Sequence, residues 1–423
     1  MSPSALDLVL GRERRHLIPC VHHFFGEEPL LLARGEGVWL FDEHGRRHLD
    51  LCSGISVMAL GQADPDIAKA IATQTRRLQH ACTVFVTEEY GLLAERLAQI
   101  APGELTRSFF VNSGSEANEG ALLLARLATG RRRFVSLTSS LHGRTHLTMS
   151  VTGLPMWRTD PHPSDCVEFA PSPLEDPVAE GVARAVEACG DDFAALIAEP
   201  IQGNGGIAVP PRDYFEHVAR IVRAAGGLLI ADEVQSGMGR SGRWFAVEHW
   251  GVTPDILTVA KALGGGTPLG AFITTDAIAR AYTKPAGSTL GGNPVSCRAA
   301  LAVIGAIERR GLLANARERG AQLMDGLRGL QAQHAAIGDV RGLGLMVGAE
   351  IVEPATREPD PAGLERLHRA LRHRGFLCGK TGAHRNVLTF QPPLIITPSQ
   401  IDSALEAIGA CLTSSTADVG PAR

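Results

Sequence analysis

Between residues 108 and 275, short apolar runs alternate with stretches whose apolar residues recur at helical spacing. Ser108-Phe109-Phe110-Val111 reads as a strand, and residues 116–128, rich in Ala and Leu, as a helix. Residues 133–137 and 194–198 read as further buried strands. Residues 214–225 read as a helix that leads through Gly226-Gly227 into a strand at 228–231, and residues 255–260 form another short β run. Continuous apolar strands alternating with helices predict a mainly parallel sheet covered on both faces. Ligands of such sheets collect at the carboxyl ends of the strands, so the residues that end these runs are the candidates for chemistry. From about residue 308 a second set of helical and strand patterns begins. Residues 338–344 predict a turn into a strand at 345–351, and residues 353–362, rich in proline and charge, an exposed loop. Residues 386–390 read as a strand stopped by Pro392-Pro393, and residues 401–412 as a helix. The expected fold class is α/β: a large domain at 53–307, a small C-terminal α/β domain at 308–423, and an N-terminal segment, 1–52, packed with the small domain. No repeats are seen, and disorder is expected only in the last few residues.

Composition narrows the function classes. A formal net charge of −4 over 423 residues leaves no electrostatic footprint for a nucleic-acid partner. The one basic run, Arg131-Arg132-Arg133 after Gly130, reads as a solvated helix terminus. Eight cysteines, at 20, 52, 82, 166, 189, 297, 378 and 411, include no Cys-x-x-Cys pair and read as small hydrophobes rather than a disulfide framework or a metal site. The first residues lack a basic segment followed by an apolar run, and no long apolar stretch follows, so neither a signal peptide nor a membrane span is expected. The expected location is the cytoplasm.

Three strand ends carry chemistry. Asp232 follows the apolar run Leu228-Leu229-Ile230-Ala231, where a buried carboxylate needs a cation or a hydrogen-bond donor to meet it. A helix cap is the bland alternative. Lys261 ends another apolar run and precedes Gly264-Gly265-Gly266. A lysine there can lose its proton and act as an amine nucleophile, and the glycines allow a bulky ligand close to the backbone. A snorkelling surface lysine is its bland alternative. Asn112-Ser113-Gly114-Ser115-Glu116-Ala117-Asn118 lies between a strand and a helix and can present backbone N–H groups and a hydroxyl to an anion, although Ser115 could merely cap the helix. Each signal is weak alone; an anion cradle, a carboxylate and a lysine at three strand ends in that order are strong together.

From about residue 37 to 412 the chain resembles the class III, ω-amino-acid type aminotransferases. The resemblance rests on Gly37-Val38-Trp39-Leu40-Phe41-Asp42 with Gly45 and Leu49-Asp50, on 112–118, and on His142-Gly143-Arg144-Thr145. It extends through Glu199-Pro200-Ile201-Gln202-Gly203, the Asp232 and Lys261 segments, and Gly287-Ser288-Thr289-Leu290-Gly291-Gly292-Asn293-Pro294. The nearest flavour is that of 4-aminobutyrate, alanine–glyoxylate and dialkylglycine enzymes. The resemblance implies the fold of type I transferases dependent on pyridoxal 5'-phosphate (PLP), an amine and a 2-oxo acid as substrates, and a homodimer with shared sites. It implies that Lys261 carries PLP and moves a proton, and that Asp232 pairs with the ring nitrogen. Gln235 would bond the ring 3-oxygen, Val234 pack on one ring face, and His142 sit beside the ring. Gly114 and Ser115 would hold the phosphate, joined by Thr289 of the other subunit, and Arg144 would grip a substrate carboxylate.

The chain departs from the family pattern in three places. Leu141 stands where an aromatic residue usually stacks on the ring; it still offers dispersion and burial. Asn204 replaces the glutamate of Gln-Gly-Glu-Gly, and Thr389 the arginine of Val-x-Arg-Phe. In relatives these two form an ion pair whose arginine binds an α-carboxylate, so their joint replacement implies a redesigned pocket. Lys380 or Arg385 could supply a substitute cation. The expected reaction is transfer of an amino group from an ω-amino acid or other amine to a 2-oxo acid. A PLP lyase acting on amino-alcohol phosphates or phosphonates, or an amino-acid racemase, is the rival on the same scaffold.

Overall fold

The structure, a computed structural model, describes residues 4–417 apart from 22 and 27; the expected disorder at the extreme C-terminus lies outside them. Seven strands form the central sheet in the order Arg107–Val111, Gly270–Thr274, Ile256–Val259, Leu228–Asp232, Phe193–Ala198, Arg133–Leu137, Val167–Ala170. All run parallel except Gly270–Thr274, which is antiparallel to both its neighbours. The mainly parallel expectation therefore holds, and its physical reason is visible in Phe193–Ala198, whose six residues are all buried. A strand covered on both faces has no polar side to alternate with. Two strands escaped the apolar-run reading: Gly270–Thr274, which begins with a glycine, and the edge strand Val167–Ala170, only one of whose residues is fully buried.

The C-terminal region holds a second sheet, entirely antiparallel, in the order Ile337–Leu343, Met346–Ile351, Val387–Phe390, Gly379–Thr381. Here the expected turn at 338–344 is corrected. That stretch is itself a strand, paired from Ile337↔Ile351 to Leu343↔Met346, and the reversal sits at Gly344, whose φ is +55°. Its several glycines mimic a turn, but Gly338 and Gly342 lie where a Cβ would strike Val352 Cγ1 at 2.7 Å and Met346 O at 2.4 Å. The N-terminal strands Leu32–Glu36, Trp39–Asp42 and Arg47–Asp50 form a third sheet, which Phe376–Leu377 joins in parallel with Arg47–Asp50. The first residues, 5–16, form a helix with a capping box between Ser4 and Asp7.

The basic run does follow a helix end, with Gly130 as the cap and Arg132 exposed, but it is not merely solvated. Arg131 Nη1 donates to the carbonyls of Phe193, Ala225 and Gly226, Arg132 pairs with Asp192, and Arg133 opens a strand and pairs with Glu168. The three arginines tie the amino ends of the sheet together. Among the described residues all eight cysteines are free, and five of them are buried.

Candidate active site

Asp232 is the last residue of its strand, and Lys261 opens a short 3-10 turn, Lys261–Gly264, just beyond Ile256–Val259. The neighbouring parallel register, Asp232↔Thr258, brings both strand ends to one rim of the sheet. Lys261 has a φ of +44°. A non-glycine residue held left-handed costs about 1–2 kcal/mol and persists only where its surroundings dictate it, as at functional sites. Burial lowers the proton affinity of its amine, against the pull of the Glu199 and Asp232 charges. Among the described residues Lys261 Nζ has no hydrogen-bond or ion-pair partner. Of the glycines that follow, Gly266 lines the cavity described below. Gly265 instead serves packing, since a Cβ there would lie 2.7 Å from Val303 Cγ2.

The Asp232 carboxylate is held from three sides. Oδ2 receives hydrogen bonds from Asn118 Nδ2 and His142 Nδ1, both at 2.7 Å, and Oδ1 accepts the N–H of Val234 at 3.1 Å. Asn118 also donates to the His142 carbonyl at 2.7 Å and accepts from Thr258 Oγ1 at 2.6 Å. His142 is buried, and its Nε2 has no partner. The sixteen-residue helix Gly114–Thr129 aims its N-terminus at the same place. Its cap is Ser113, whose Oγ accepts the N–H of Glu116 at 3.2 Å, and not Ser115 as the bland reading allowed. Ser115 Oγ accepts from the Arg144 N–H at 3.0 Å. The first N–H groups of this helix, those of Gly114 and Ser115, therefore have no intrahelical partner. Glycine is required at 114, where a Cβ would stand 2.7 Å from Val234 Cγ1.

These elements enclose a cavity of about 450 Å³, which Gly114, Ser115, Leu141, His142, Arg144, Asn204, Asp232, Val234, Gln235 and Lys261 all line. Gln235 Oε1 accepts from Gln391 Nε2 at 3.0 Å, which leaves its own amide N–H groups to donate. Arg144 is exposed and, among the described residues, is the only arginine in the lining. Two of the twelve expected site residues lie elsewhere. Thr389 is buried on Val387–Phe390 against Gly379, and Thr289 is exposed on a loop outside the lining. The substitute cations are also absent from it. Lys380 pairs with Glu365, and Arg385 is exposed. Sequence reasoning missed Asn118, Glu199, Trp157 and Gln391. The first two lie inside quoted motifs whose spacing gave no hint of a role, and the last two join the site only through tertiary packing.

Glu199 is a buried carboxyl in the cavity wall. Its Oε1 accepts the N–H of Leu141 at 2.8 Å and its Oε2 that of Gly203 at 2.9 Å. Burial pushes its pKa up, opposed by the nearby His142 and reinforced by the charge of Asp232.

A helix N-terminus, a braced carboxylate and a strained lysine around one cavity define a transferase-type site at the carboxyl rim of a parallel sheet. Solved structures agree on the class. A transaminase from the marine bacterium Virgibacillus superposes with a TM-score of 0.92 at 30% identity, covering 98% of this chain and 100% of that one. An (S)-enantioselective omega-transaminase from Thermomicrobium roseum gives 0.89 at 32%, covering 98% and 99%. The family model for class III aminotransferases matches residues 25–412, and the chain belongs to that family. It is 38% identical over 426 residues to alanine–glyoxylate aminotransferase 2 homolog 2, mitochondrial, of Arabidopsis thaliana, covering 96% of this chain and 87% of the relative. It is 39% identical over 402 residues to an acetylornithine aminotransferase of Methanosarcina mazei, covering 95% of each. The protein is an aminotransferase. Among the described residues no helix is long and apolar enough to cross a membrane.

Proposed function

We propose that the cavity binds PLP, that Lys261 carries it covalently, and that the enzyme moves an amino group from an ω-amino acid or other amine to a small 2-oxo acid. The observation that carries this reading is the left-handed, partnerless Lys261 facing a cavity with Asp232 braced on one side and open helix N–H groups on another. The residues present fit the cofactor. The N–H groups of Gly114 and Ser115 suit a phosphate, the Asp232 carboxylate suits a protonated ring nitrogen, and the unpartnered His142 Nε2 is a buried polar atom beside the place a ring would take.

Bound there, PLP supplies an aldehyde that captures the amine and a ring that draws electrons from the carbon bearing it. Asp232, oriented by His142 and Asn118, holds the proton on the ring nitrogen. Val234 and Leu141 would pack against the ring, and Gln235, with its amide oxygen engaged by Gln391, would donate to its oxygen. Lys261, which would hold the aldehyde at Nζ, would also be the group whose Nζ takes up and gives back a proton. Its lowered proton affinity suits that task. Arg144 holds a carboxylate of the donor or acceptor.

The acceptor preference follows from what the lining lacks. With Asn204 in the wall and no second arginine there, 2-oxoglutarate has no bidentate partner for its second carboxylate. The relative named for glyoxylate supports a small acceptor, and those named for acetylornithine support a donor with a distal amine. The active unit is a homodimer in which Thr289 completes the partner's phosphate site. Support comes from the exposed run Val84-Phe85-Val86, tied to the Thr289 loop by a hydrogen bond from Thr83 Oγ1 to the Ser288 carbonyl at 3.4 Å. Val84 is 78% exposed, Phe85 70% and Leu290 56%, an apolar patch of the kind that marks an interface. The same reading divides the chain into 1–52, 53–307 and 308–423 and places it in the cytoplasm. Borohydride reduction of the PLP-loaded protein followed by peptide mapping tests the core of the proposal. The pyridoxyl label is expected on Lys261, and a label on another lysine would overturn it.

A further inference from the structure

Glu199 follows a fully buried strand and reaches two loops with one carboxylate. Through the Leu141 N–H it holds the wall at 141–143, which includes Leu141, His142 and Gly143. Through the Gly203 N–H it holds the loop that carries Asn204. That second loop also backs onto Gln235, because a Cβ on Gly203 would lie 1.7 Å from Gln235 Oε1. Among the described residues no cation lies within ion-pair distance of Glu199. The charged and titratable groups facing it are His142 on the first loop, Asp232 at the end of the adjacent strand, and Lys261 at the end of the next. A buried carboxylate satisfied only by two amides is an expensive way to cap two N–H groups. Its charge therefore calls for a role that a neutral side chain could not fill.

We propose that Glu199 is a positioning residue of the transamination: its carboxylate sets the separation of the Leu141 and Asn204 walls and supplies a negative charge that stabilises the protonated Lys261 nitrogen. This rests on the cofactor reading above. The role differs from that of Asp232, which His142 and Asn118 brace toward the ring.

The test uses PLP-loaded wild type, Glu199→Gln and Glu199→Asp, with Lys261→Ala as the control for colour attached at Lys261. Visible absorbance is followed from about pH 6 to about pH 10, the range in which the cofactor-bearing lysine nitrogen loses its proton. A carboxylate facing a cation favours its protonated form, so removing the charge lowers the midpoint. Glu199→Gln is expected to lower it by about one pH unit. Glu199→Asp keeps the charge but retracts it by a methylene, so it should lower the midpoint by about a third of a unit in the same direction. Because aspartate is too short to span both N–H groups and the Nε2 of glutamine cannot accept one of them, kcat should fall in both variants more than KM rises. Either variant suffices if the other does not fold. A purely structural Glu199 would lower the melting temperature and leave every midpoint in place, and that outcome overturns the proposal. A wild type that takes up no colour overturns the cofactor reading and this proposal with it; a coloured wild type whose variants share its midpoint overturns this proposal alone.

Discussion

Arg144 and Asn204 reach the same cavity from different loops, and together they set what the pocket can hold. Arg144 is the sole arginine of the lining and is exposed to an incoming anion. Its replacement, Arg144→Ala, should lower kcat/KM for carboxylate-bearing substrates by about tenfold to a hundredfold, the worth of a charge-assisted contact, and for neutral amines by about twofold or less. Parallel kinetics on a carboxylate-bearing and a neutral donor check this. The companion experiment installs the missing ion pair. Asn204→Glu with Thr389→Arg should raise 2-oxoglutarate use relative to pyruvate or glyoxylate. The structure adds a condition, because Thr389 faces Gly379, where a Cβ would lie 2.4 Å from Thr389 Oγ1, and the side chain is buried. Thr389→Arg alone should therefore lower the melting temperature, since it buries an unpaired guanidinium. Arg341 is no ready substitute, being spent on Asp339 and the Gly206 carbonyl. At this scale Lys261 and Asp232 were legible in the residues because strand ends are legible. The bracing of Asp232 by Asn118 was not, since the two are 114 positions apart and meet only when the helix at 114–129 docks on the sheet.

The turn after Leu228–Asp232 is an element whose stability depends on pH. Glu233 is buried; its Oε1 accepts the Val247 N–H at 2.7 Å and its Oε2 accepts from Ser236 Oγ. Burial raises its pKa from an ordinary 4.5 to about 7, against those hydrogen bonds. The sign follows directly. Below 4.5 the group is protonated in folded and unfolded chains alike, whereas between 4.5 and about 7 only the unfolded chain releases the proton, so the fold loses stability as pH rises through that window. The loss attributable to this group is on the order of 1–3 kcal/mol, equivalent to several degrees of melting temperature. Glu233→Gln should flatten that part of the curve and leave the variant relatively more stable above pH 7, as thermal melts across the range would show. Elements of this kind divide by how local their causes are. The strands at 193–198 and 228–232 were readable because a doubly covered strand is a nearly continuous apolar run, and the edge strand at 107–111 because it ends in Phe109-Phe110-Val111. The hairpin centred on Gly344 was misread because glycines that serve close cross-strand packing look the same in sequence as glycines that serve a turn.

At the scale of the whole molecule the question is which chain completes which site. Thr289 lies outside its own cavity, and a patch containing Val84, Phe85 and Leu290 stands exposed around it. Mixing two disabled chains tests the shared site. Lys261→Ala retains Thr289, and Thr289→Ala retains Lys261, so a mixed dimer regains one intact site of its two. Thr289→Ala alone should weaken cofactor retention by about tenfold, the worth of one hydrogen bond to a charged group. At cofactor concentrations that leave the Thr289→Ala homodimer mostly unloaded, the co-expressed pair should then show more activity than the two homodimers together. Additive activities with no recovery, or a fully active monomer in gel filtration, would contradict the dimeric site.

What the amino-acid order determined unaided was whatever depends on neighbours along the chain: apolar runs long enough to be buried strands, the order of anion cradle, carboxylate and lysine at their ends, and a motif series that names a family. What only the tertiary structure decided depends on residues far apart in sequence. It placed Asn204 in the cavity and Thr389 out of it, tied Lys380 to Glu365, gave the helix cap to Ser113 rather than Ser115, and brought Glu199 between two loops. The reason is physical. A run's hydrophobicity reports its burial, but the partner of a buried polar group is set by which strand ends the sheet brings to one rim.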